Sequence, residues 1–230
     1  MDSRIMEQGQ PAEPIGLCRK KALIVFDLDG TISDSRELAR VCYKRVFALM
    51  GYGKISDELA DSFNGPDADE VCRVMGIGPD RRPLYNQLVN DVSAELTRTI
   101  GHMFPGTKEM LCALYPKAVL SILTNGTHAY CDACIESFGI EAYIHLRSGF
   151  VSGVSKAQRM REWAEKIGAS SIICVGDRCT DIANARAAGA VAVGVTYGMG
   201  SREEMKDADV LCDSPAEAAR VIAGLLDAAQ

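Results

Sequence analysis

The stretch ALIVFDLDGTISDS, residues 22–35, decides the fold of this chain. It opens with a continuous apolar run, 22–26, which is typical of a parallel strand buried on both faces. Two carboxylates, Asp27 and Asp29, follow with only Leu28 between them. Because side chains alternate along an extended chain, both acids are expected to point to the same side and to repel each other. A compensating positive charge is therefore expected close to this strand end.

The composition of the chain narrows the class of protein. Hydrophobic residues make up 47% of the 230 positions, and no apolar run approaches the length of a membrane span. The formal net charge of −6 argues against a general nucleic-acid-binding protein. The nine cysteines are odd in number and scattered, and the polar residues 1–14 lack the apolar segment of a secretory signal. We therefore expect a cytoplasmic protein with reduced, mostly structural thiols, including those of the CDAC segment at 131–134.

A block of helices is predicted to follow the first strand. Helical periodicity runs from Ser35 to Met50, and further helices are predicted near 56–63, 68–75 and 83–100. No strand is predicted between residues 35 and 103. The sequence therefore predicts an all-helical insert immediately after one strand of the core.

From residue 104 onward the pattern changes to an alternation of strand and helix. The predicted strands are 119–123, 171–175 and 190–195. The predicted helices are 128–138, 156–167 and 182–188. Such alternation is typical of a parallel sheet with helices on both faces. The predicted fold class is therefore α/β, with a Rossmann-like parallel sheet core and an inserted all-helical domain.

Polar residues lie where the predicted strands end, and ligands bind at that edge in open α/β sheets. The set comprises Asp27, Asp29, Thr124, Asn125, Gly126, Lys156, Asp177 and Asp181. Several carboxylates with one lysine and no histidine pair favour a hard divalent cation with oxygen ligands, in the first place Mg²⁺. Such a cation would relieve the repulsion between the acids and would also neutralise a phosphate.

The motifs that contain these residues resemble those of the haloacid dehalogenase-like hydrolase superfamily. In chain order they are DLDGT at 27–31, LTNG at 123–126, Lys156, and GDRCTD at 176–181. The segment GVTYGMGSREEM near the C-terminus and the position and size of the insert are similar to the phosphoglycolate phosphatase-like branch. Lys156 is followed by Ala157, where the family usually has proline, so Lys166 is retained as the second candidate for the third motif.

The resemblance implies a role for each residue. Asp27 is expected to be the nucleophile that forms an aspartyl phosphate, and Asp29 the acid and then the base. With Asp27 and Asp29, the implied catalytic residues are Thr124 and Lys156. The implied phosphate- or substrate-binding residues are Gly30, Thr124, Asn125, Gly126, Lys156 and, from the insert, Asn64. The implied Mg²⁺ ligands are Asp27, the Asp29 carbonyl, Asp177 and Asp181.

The predicted domain organisation combines the composition of the N-terminus and the order of the predicted elements with this resemblance, which identifies the insert as a cap. It comprises a flexible N-terminal tail at 1–18, an α/β core at 19–34 and 104–230, and a helical cap at 35–103. Closure of the cap is expected to hinge at 33–35 and 102–106 and to exclude water from the site.

The implied function is Mg²⁺-dependent hydrolysis of a small phosphorylated metabolite, with a phosphoglycolate-like phosphomonoester as the first expectation. One alternative is a sugar phosphomutase of the same superfamily, which would keep both acids and differ mainly in its cap. The other is a non-catalytic binding or regulatory protein with the same fold. Neither a nucleic acid nor a membrane is expected as a partner, and the sequence leaves the oligomeric state open.

Overall fold

A computed structural model describes residues 22–228 of the chain. The tail predicted at 1–18 and the first residues of the predicted core, 19–21, lie outside the described residues. The strands are β1 Ala22–Phe26, β2 Val119–Leu123, β3 Leu146–Ser148, β4 Ser171–Gly176, β5 Val191–Val195 and β6 Val210–Cys212. They form one parallel sheet in the order β3-β2-β1-β4-β5-β6.

Helices occupy most of the chain between the strands. The α-helices are α1 Arg36–Leu49, α2 Asp57–Ser62, α3 Ala68–Met75, α4 Arg82–Ile100, α5 Thr107–Leu114, α6 His128–Phe138, α7 Lys156–Ile167, α8 Cys179–Ala188 and α9 Pro215–Ala228. A short 3₁₀ helix, Glu141–Tyr143, precedes β3. Within residues 22–228, no helix has both the length and the apolar character that crossing a bilayer requires.

Strand β1 lies between β2 and β4 in the sheet, and the sheet separates the hydrophobic core into two layers. Leu23 and Val25 pack with residues of α7 and α8 on one face of the sheet. Ile24 and Phe26 pack on the opposite face with residues of α5 and α9. Since both faces of β1 are covered, all of its side chains are buried and the whole strand is apolar. The predicted fold class, with helices on both faces of a parallel sheet, is confirmed.

The helical insert consists of α1 to α4, which lie between β1 and β2 in the chain. The helices predicted at 56–63, 68–75 and 83–100 correspond to α2, α3 and α4, and the described part of the insert contains no strand. Side chains of the insert join the hydrophobic cluster that covers one face of the sheet. In that cluster, Phe47 meets Phe63 edge to face with their ring centroids 5.5 Å apart.

The two segments that join the insert to the core run beside each other. The Asp34 N–H donates to the His102 carbonyl at 3.1 Å, and the Phe104 N–H donates to the Ile32 carbonyl at 3.1 Å. Ser33 also forms an isolated antiparallel bridge with Met103. The two predicted hinge segments, 33–35 and 102–106, are therefore hydrogen-bonded to each other where the chain enters and leaves the insert. The domain boundaries drawn at these segments remain a prediction.

The cysteines of the CDAC segment lie on α6 with both thiols buried. Burial raises the pKa of Cys134 to about 12, and it raises the pKa of Cys131 as well. A thiol with so high a pKa stays protonated and is a poor nucleophile at neutral pH. Their placement agrees with the structural interpretation of this pair.

Candidate active site

The site begins at the tight turn that follows β1. The Leu28 carbonyl accepts hydrogen bonds from the N–H groups of Ile32 at 2.9 Å and Ser33 at 2.8 Å. Gly30 sits in this turn at φ +79°, and a Cβ at this position would overlap the Asp177 carboxylate. Only glycine satisfies both the backbone conformation and the close approach. Gly30, predicted to bind phosphate, thus lies against Asp177, and it is not among the residues that line the cavity of the site.

Three carboxylates from three parts of the chain converge beside this turn. One oxygen each from Asp27, Asp177 and Asp181 lies within 4.8 Å of the others. Asp27 follows β1, Asp177 follows the neighbouring strand β4, and Asp181 lies in the first turn of α8. Asp177 and Asp181 are buried, with exposed fractions of 0% and 3%. The predicted convergence of these three acids is therefore present.

Lys156 is the positive charge that meets the acids. It begins α7, and its Nζ lies 2.6 Å from Asp27 Oδ1 and 2.9 Å from Asp181 Oδ1. Burial by itself would lower the pKa of Lys156, but Asp181 and Asp27 outweigh burial and raise it. Burial raises the pKa of Asp27, Lys156 opposes that rise, and the other carboxylates add to it. One lysine thus compensates the repulsion only in part.

The environment of Asp177 shows how a divalent cation would fit. Its Oδ2 accepts a hydrogen bond from the Met199 N–H at 2.7 Å, whereas Oδ1 is buried without a hydrogen-bond partner in the described part of the chain. Burial raises the pKa of Asp177 to about 6. An unpartnered buried carboxylate oxygen is costly unless a cation binds it. With Asp27 and Asp181 beside it, this all-oxygen donor set suits Mg²⁺.

Asp29, the second acid of the motif, contacts neutral groups instead. Its Oδ1 accepts from the Tyr130 hydroxyl at 2.7 Å, and its Oδ2 accepts from the Thr124 hydroxyl at 3.3 Å. The Thr124 oxygen in turn accepts from the Gly126 N–H at 2.9 Å. Both acids line the same cavity, but only Asp27 is paired with a lysine. The side chain of Asp29 is not part of the carboxylate cluster, so its predicted metal ligand remains the backbone carbonyl.

The amino-acid sequence that forms this site matches the model of a known protein family along most of the chain. The family model for haloacid dehalogenase-like hydrolases matches residues 24–195. The chain belongs to this family. The predicted family and the predicted class of enzyme, a phosphatase, are confirmed.

Similar proteins cover more than three quarters of this haloacid dehalogenase-like chain. A phosphoglycolate phosphatase from Vibrio parahaemolyticus is 28% identical over 87% of this chain and 96% of its own length. The tyrosine-protein kinase PtkA from Mycobacterium tuberculosis is 26% identical over 77% of this chain and 63% of its own length. The crystal structure of a predicted phosphatase from Clostridium acetobutylicum superimposes with a TM-score of 0.77 at 22% identity, covering 89% of this chain and 99% of its own. That structural likeness supports the fold.

Tyr130 of this haloacid dehalogenase-like hydrolase also belongs to the site, although it was not predicted from the sequence motifs. It lies in the first turn of α6, which begins after the N-cap Thr127, and its ring is buried. Burial and the nearby charge of Asp29 raise the pKa of Tyr130, so its hydroxyl remains a hydrogen-bond donor. The sequence does place a tyrosine on an apolar helix face close to the second motif. Because a buried phenol needs a polar partner, this position could have indicated a contact with the site.

The insert of the haloacid dehalogenase-like fold closes over this site through the turn Asn64-Gly65-Pro66. Asn125 Nδ2 donates to the Gly65 carbonyl at 2.9 Å, and Arg178 Nη1 donates to the Asn64 carbonyl at 3.3 Å. Arg178 is held from its other side by Glu204, whose Oε1 lies 2.8 Å from Nε. We call these two bonds to the turn the latch. The predicted cap residue Asn64 lines the cavity, as do Asn125 and Gly126.

The two lysines considered for the third motif occupy opposite ends of α7. Lys156 begins the helix and reaches the carboxylates, with 13% of its side chain exposed. Lys166 lies in the last turn and is exposed to solvent. The geometry therefore brings Lys156 into the site, although Ala157 follows it, and leaves Lys166 outside.

Proposed function

We propose that this haloacid dehalogenase-like phosphatase hydrolyses a small phosphomonoester through an aspartyl phosphate on Asp27, with Mg²⁺ bound at the carboxylate cluster. The observation that carries the proposal is the different surroundings of two acids in one cavity. Asp27 is paired with Lys156 at 2.6 Å, whereas Asp29 accepts hydrogen bonds only from neutral hydroxyls among the described residues. Such a division of surroundings suits a nucleophile held beside a positive charge and a second acid that exchanges a proton with the leaving oxygen.

The first half-reaction forms one bond and breaks another. A carboxylate oxygen of Asp27 attacks phosphorus, the bond from phosphorus to the alcohol oxygen breaks, and Asp29 gives its proton to that oxygen. We assign the binding of the phosphoryl oxygens to Lys156, which contacts Asp27, and to the N-terminus of α6 with Thr124 and the Gly126 N–H. In the second half-reaction, Asp29 takes a proton from water, which attacks phosphorus and releases Asp27 and phosphate.

The bound cation would be held by this chain's acids. We assign its ligands to Asp27, Asp177 and Asp181, with the Asp29 carbonyl as predicted from the family motif. When bound, Mg²⁺ supplies positive charge that offsets the negative charge of the phosphoryl group and of the acids. The closed insert contributes by excluding water from the cavity before the first half-reaction.

The test of the proposed function is the release of inorganic phosphate from a panel of phosphomonoesters in the presence of Mg²⁺. Phosphoglycolate belongs in the panel because a relative carries its name. A sugar phosphomutase would convert one sugar phosphate into its isomer and release little phosphate, and a non-catalytic protein would do neither. Phosphate release without isomer formation is the expected result, and its absence for every ester would reject the proposal.

The proposed setting is the cytoplasm, with a small phosphorylated metabolite as the partner. The cysteines within residues 22–228 are free thiols and most of them are buried. Reduced thiols of this kind are usual in the cytoplasm, where disulfides are rare. The net charge of −6 gives no support to a nucleic-acid partner.

Replacing Lys156 with alanine is expected to lower kcat about 10²-fold or more, because a preorganised positive charge beside the nucleophile is lost. Lys166→Ala provides the matched control, since the second lysine lies on the same helix and is exposed. Steady-state kinetics with one phosphomonoester, together with circular dichroism to verify folding, makes the measurement. A silent Lys156→Ala with an inactive Lys166→Ala would show that the third motif has been misplaced.

Replacing Tyr130 with phenylalanine is expected to lower kcat/KM for alkyl phosphates roughly tenfold, the scale of one buried side-chain hydrogen bond. Tyr130 is a positioning residue, since it acts through Asp29 at 2.7 Å. For an aryl phosphate with a good leaving group, kcat/KM should change little, because phosphorylation of Asp27 then needs no proton. An equal loss for both substrate classes, compared with a Tyr143→Phe control, would indicate a merely structural role.

A further inference from the structure

One end of the active-site cavity is built by the helical insert and differs in character from the end with the acids. Its lining side chains are apolar, aromatic or small, and we call this region the leaving-group pocket: Leu38, Ala39, Cys42, Tyr43, Phe63, Ala68, Tyr85, Val89 and Ser93. Leu38 and Cys42 are 4% exposed, and Phe63 and Tyr85 are 2% exposed. The pocket is therefore formed mostly by residues that also belong to the hydrophobic core.

Aromatic rings fix one wall of the leaving-group pocket. Tyr43 and Phe63 meet edge to face with their centroids 5.4 Å apart, and Phe47 lies behind them, 5.5 Å from Phe63. Phe47 also stacks on Tyr85 at 6.3 Å. Rings packed on one another in this way present a preformed apolar surface to a ligand.

No arginine or lysine of the described insert lines this pocket. Most of these side chains are instead paired at the surface: Arg40 with Asp61, Lys44 with Asp57, Arg45 with Glu95, Arg73 with Glu70, and Arg82 with Asp69. Arg81 donates to the Met50 carbonyl and lies over the Tyr52 ring. The cations that do line the cavity, Lys156 and Arg178, come from the core and already contact carboxylates.

The position of Asp29 decides where the alcohol part of the substrate lies. The acid must reach the leaving oxygen, so that oxygen is next to Asp29 and the rest of the alcohol extends away from Asp27. Asp29 lines the cavity that contains the leaving-group pocket. A neighbouring hollow contains Arg159, but neither Asp27 nor Asp29 lines it. Because Asp29 lines only the first of these two adjoining hollows, we assign the alcohol to the side with the aromatic wall rather than to the side with Arg159.

We propose that the substrates of this enzyme are phosphomonoesters of uncharged, apolar alcohols, aromatic or branched aliphatic, and that the leaving-group pocket discriminates against anionic leaving groups. The inference rests on the proposed phosphatase function and names its substrate class. A carboxylate in this pocket would lose its hydration and find no cation in exchange, which is unfavourable. Glycolate carries such a carboxylate, so phosphoglycolate is expected to be a poor substrate despite the name of the relative.

The primary test compares substrates on the unmodified enzyme. Benzyl phosphate, phosphoglycolate and the neutral amide of phosphoglycolate all release primary alcohols, so differences in their kcat/KM report mainly the pocket. We expect kcat/KM to be about 10²-fold higher for benzyl phosphate than for phosphoglycolate, the scale of specificity that pocket contacts provide. The amide is expected to lie between them, because it has the size of phosphoglycolate without its charge.

A gain-of-function variant provides the second test. Val89 is partly buried on α4 and lines the pocket, so Val89→Arg places a cation there on a long, flexible side chain. We expect Val89→Arg to raise kcat/KM for phosphoglycolate about tenfold and to lower it for benzyl phosphate. Val89→Gln is the matched control for size and polarity and should give no gain for phosphoglycolate.

The outcomes separate this inference from the function on which it rests. If phosphoglycolate equals or exceeds benzyl phosphate and the amide, the inference is overturned while the phosphatase function stands. If no phosphomonoester is hydrolysed with Mg²⁺, the function fails and the inference fails with it. If Val89→Arg folds, as judged by its melting temperature, but gives no gain for phosphoglycolate over Val89→Gln, the assignment of the pocket to the leaving group is wrong.

Discussion

Replacing Asp27 with asparagine is expected to abolish phosphate release from every substrate, because the amide cannot form the aspartyl phosphate. The change is nearly isosteric, so the contact with Lys156 Nζ, at 2.6 Å in the unmodified protein, remains possible through the amide oxygen. Phosphate release is measured under conditions that detect a small fraction of the unmodified rate. Appreciable activity in Asp27→Asn would mean that water attacks phosphorus directly and that the covalent mechanism is wrong.

Replacing Asp29 with asparagine should give a different defect. The nucleophile is retained and proton transfer is lost, which is a contribution of roughly 10²–10⁴-fold to the rate. An aryl phosphate with a good leaving group would still phosphorylate Asp27, whereas release by water would lack its base. The aspartyl phosphate should therefore accumulate, because its formation is spared and its hydrolysis is not.

Intact-mass measurement after rapid mixing with an aryl phosphate distinguishes the two variants. Asp29→Asn should show a phosphorylated fraction that disappears on treatment with hydroxylamine, and Asp27→Asn should show none. Asp132→Asn is a suitable control for both, since this exposed aspartate pairs with Arg147 at the surface. A phosphorylated species in Asp27→Asn would place the covalent bond on another residue.

Removing divalent cations is expected to abolish turnover, and adding Mg²⁺ should restore it. The reason is that oxygens of Asp27, Asp177 and Asp181 converge within 4.8 Å, and the one lysine at the cluster pairs with only two of these acids, Asp27 and Asp181. Ca²⁺ should bind but support turnover poorly, because its looser coordination places nucleophile and phosphate less well. Full activity in excess chelator would reject the metal assignment.

Metal binding can also be measured without catalysis. A ligand that binds only the folded state raises the melting temperature, so Mg²⁺ should stabilise the unmodified protein. Asp177→Asn should lose this shift, because the buried and unpartnered Oδ1 of Asp177 is the oxygen best placed to need a cation. Asp132→Asn, away from the cluster, should retain it. If Asp177→Asn keeps the Mg²⁺-dependent shift in melting temperature, Mg²⁺ binds at a site other than this cluster.

Strands buried on both faces were the easiest elements to predict. The run at β1 is apolar throughout, and the run at β2 is apolar except for the buried Ser121. The structure places both strands at the expected residues. β3 and β6 were missed, since each has three residues and lies at an edge of the sheet, where some of its side chains remain partly exposed. Short edge strands carry neither a continuous apolar run nor a full alternation.

Helix starts were less predictable than helix cores. The helix expected from residue 182 begins at Cys179 in the structure. Asp181 lies inside its first turn, where its Oδ2 accepts from the Arg178 N–H at 3.3 Å. A carboxylate near a helix N-terminus is favourable either as the cap or within the first turn, so sequence alone does not fix the boundary.

Within the site, sequence reasoning located the residues that belong to motifs and missed those that arrive through tertiary packing. Asp27, Lys156 and Asp177 lie at strand ends or helix starts, positions that the predicted topology brings together. Tyr130 lies 101 positions after its partner Asp29, and Arg178 lies 114 positions after Asn64. Such pairs depend on how α6 and the insert pack against the core, which no local pattern encodes.

The latch over the active site constrains two neighbouring positions of one turn, 64 and 65, to different degrees. Both of its bonds end on main-chain carbonyls, those of Asn64 and Gly65, so neither depends on which side chain occupies position 64. Gly65 itself is constrained, with φ at +111° and a would-be Cβ only 2.9 Å from Arg178 Nη1. Substitutions at position 64 are therefore expected to change what the cavity admits and to leave both bonds of the latch in place, whereas a side chain at position 65 would strain the turn.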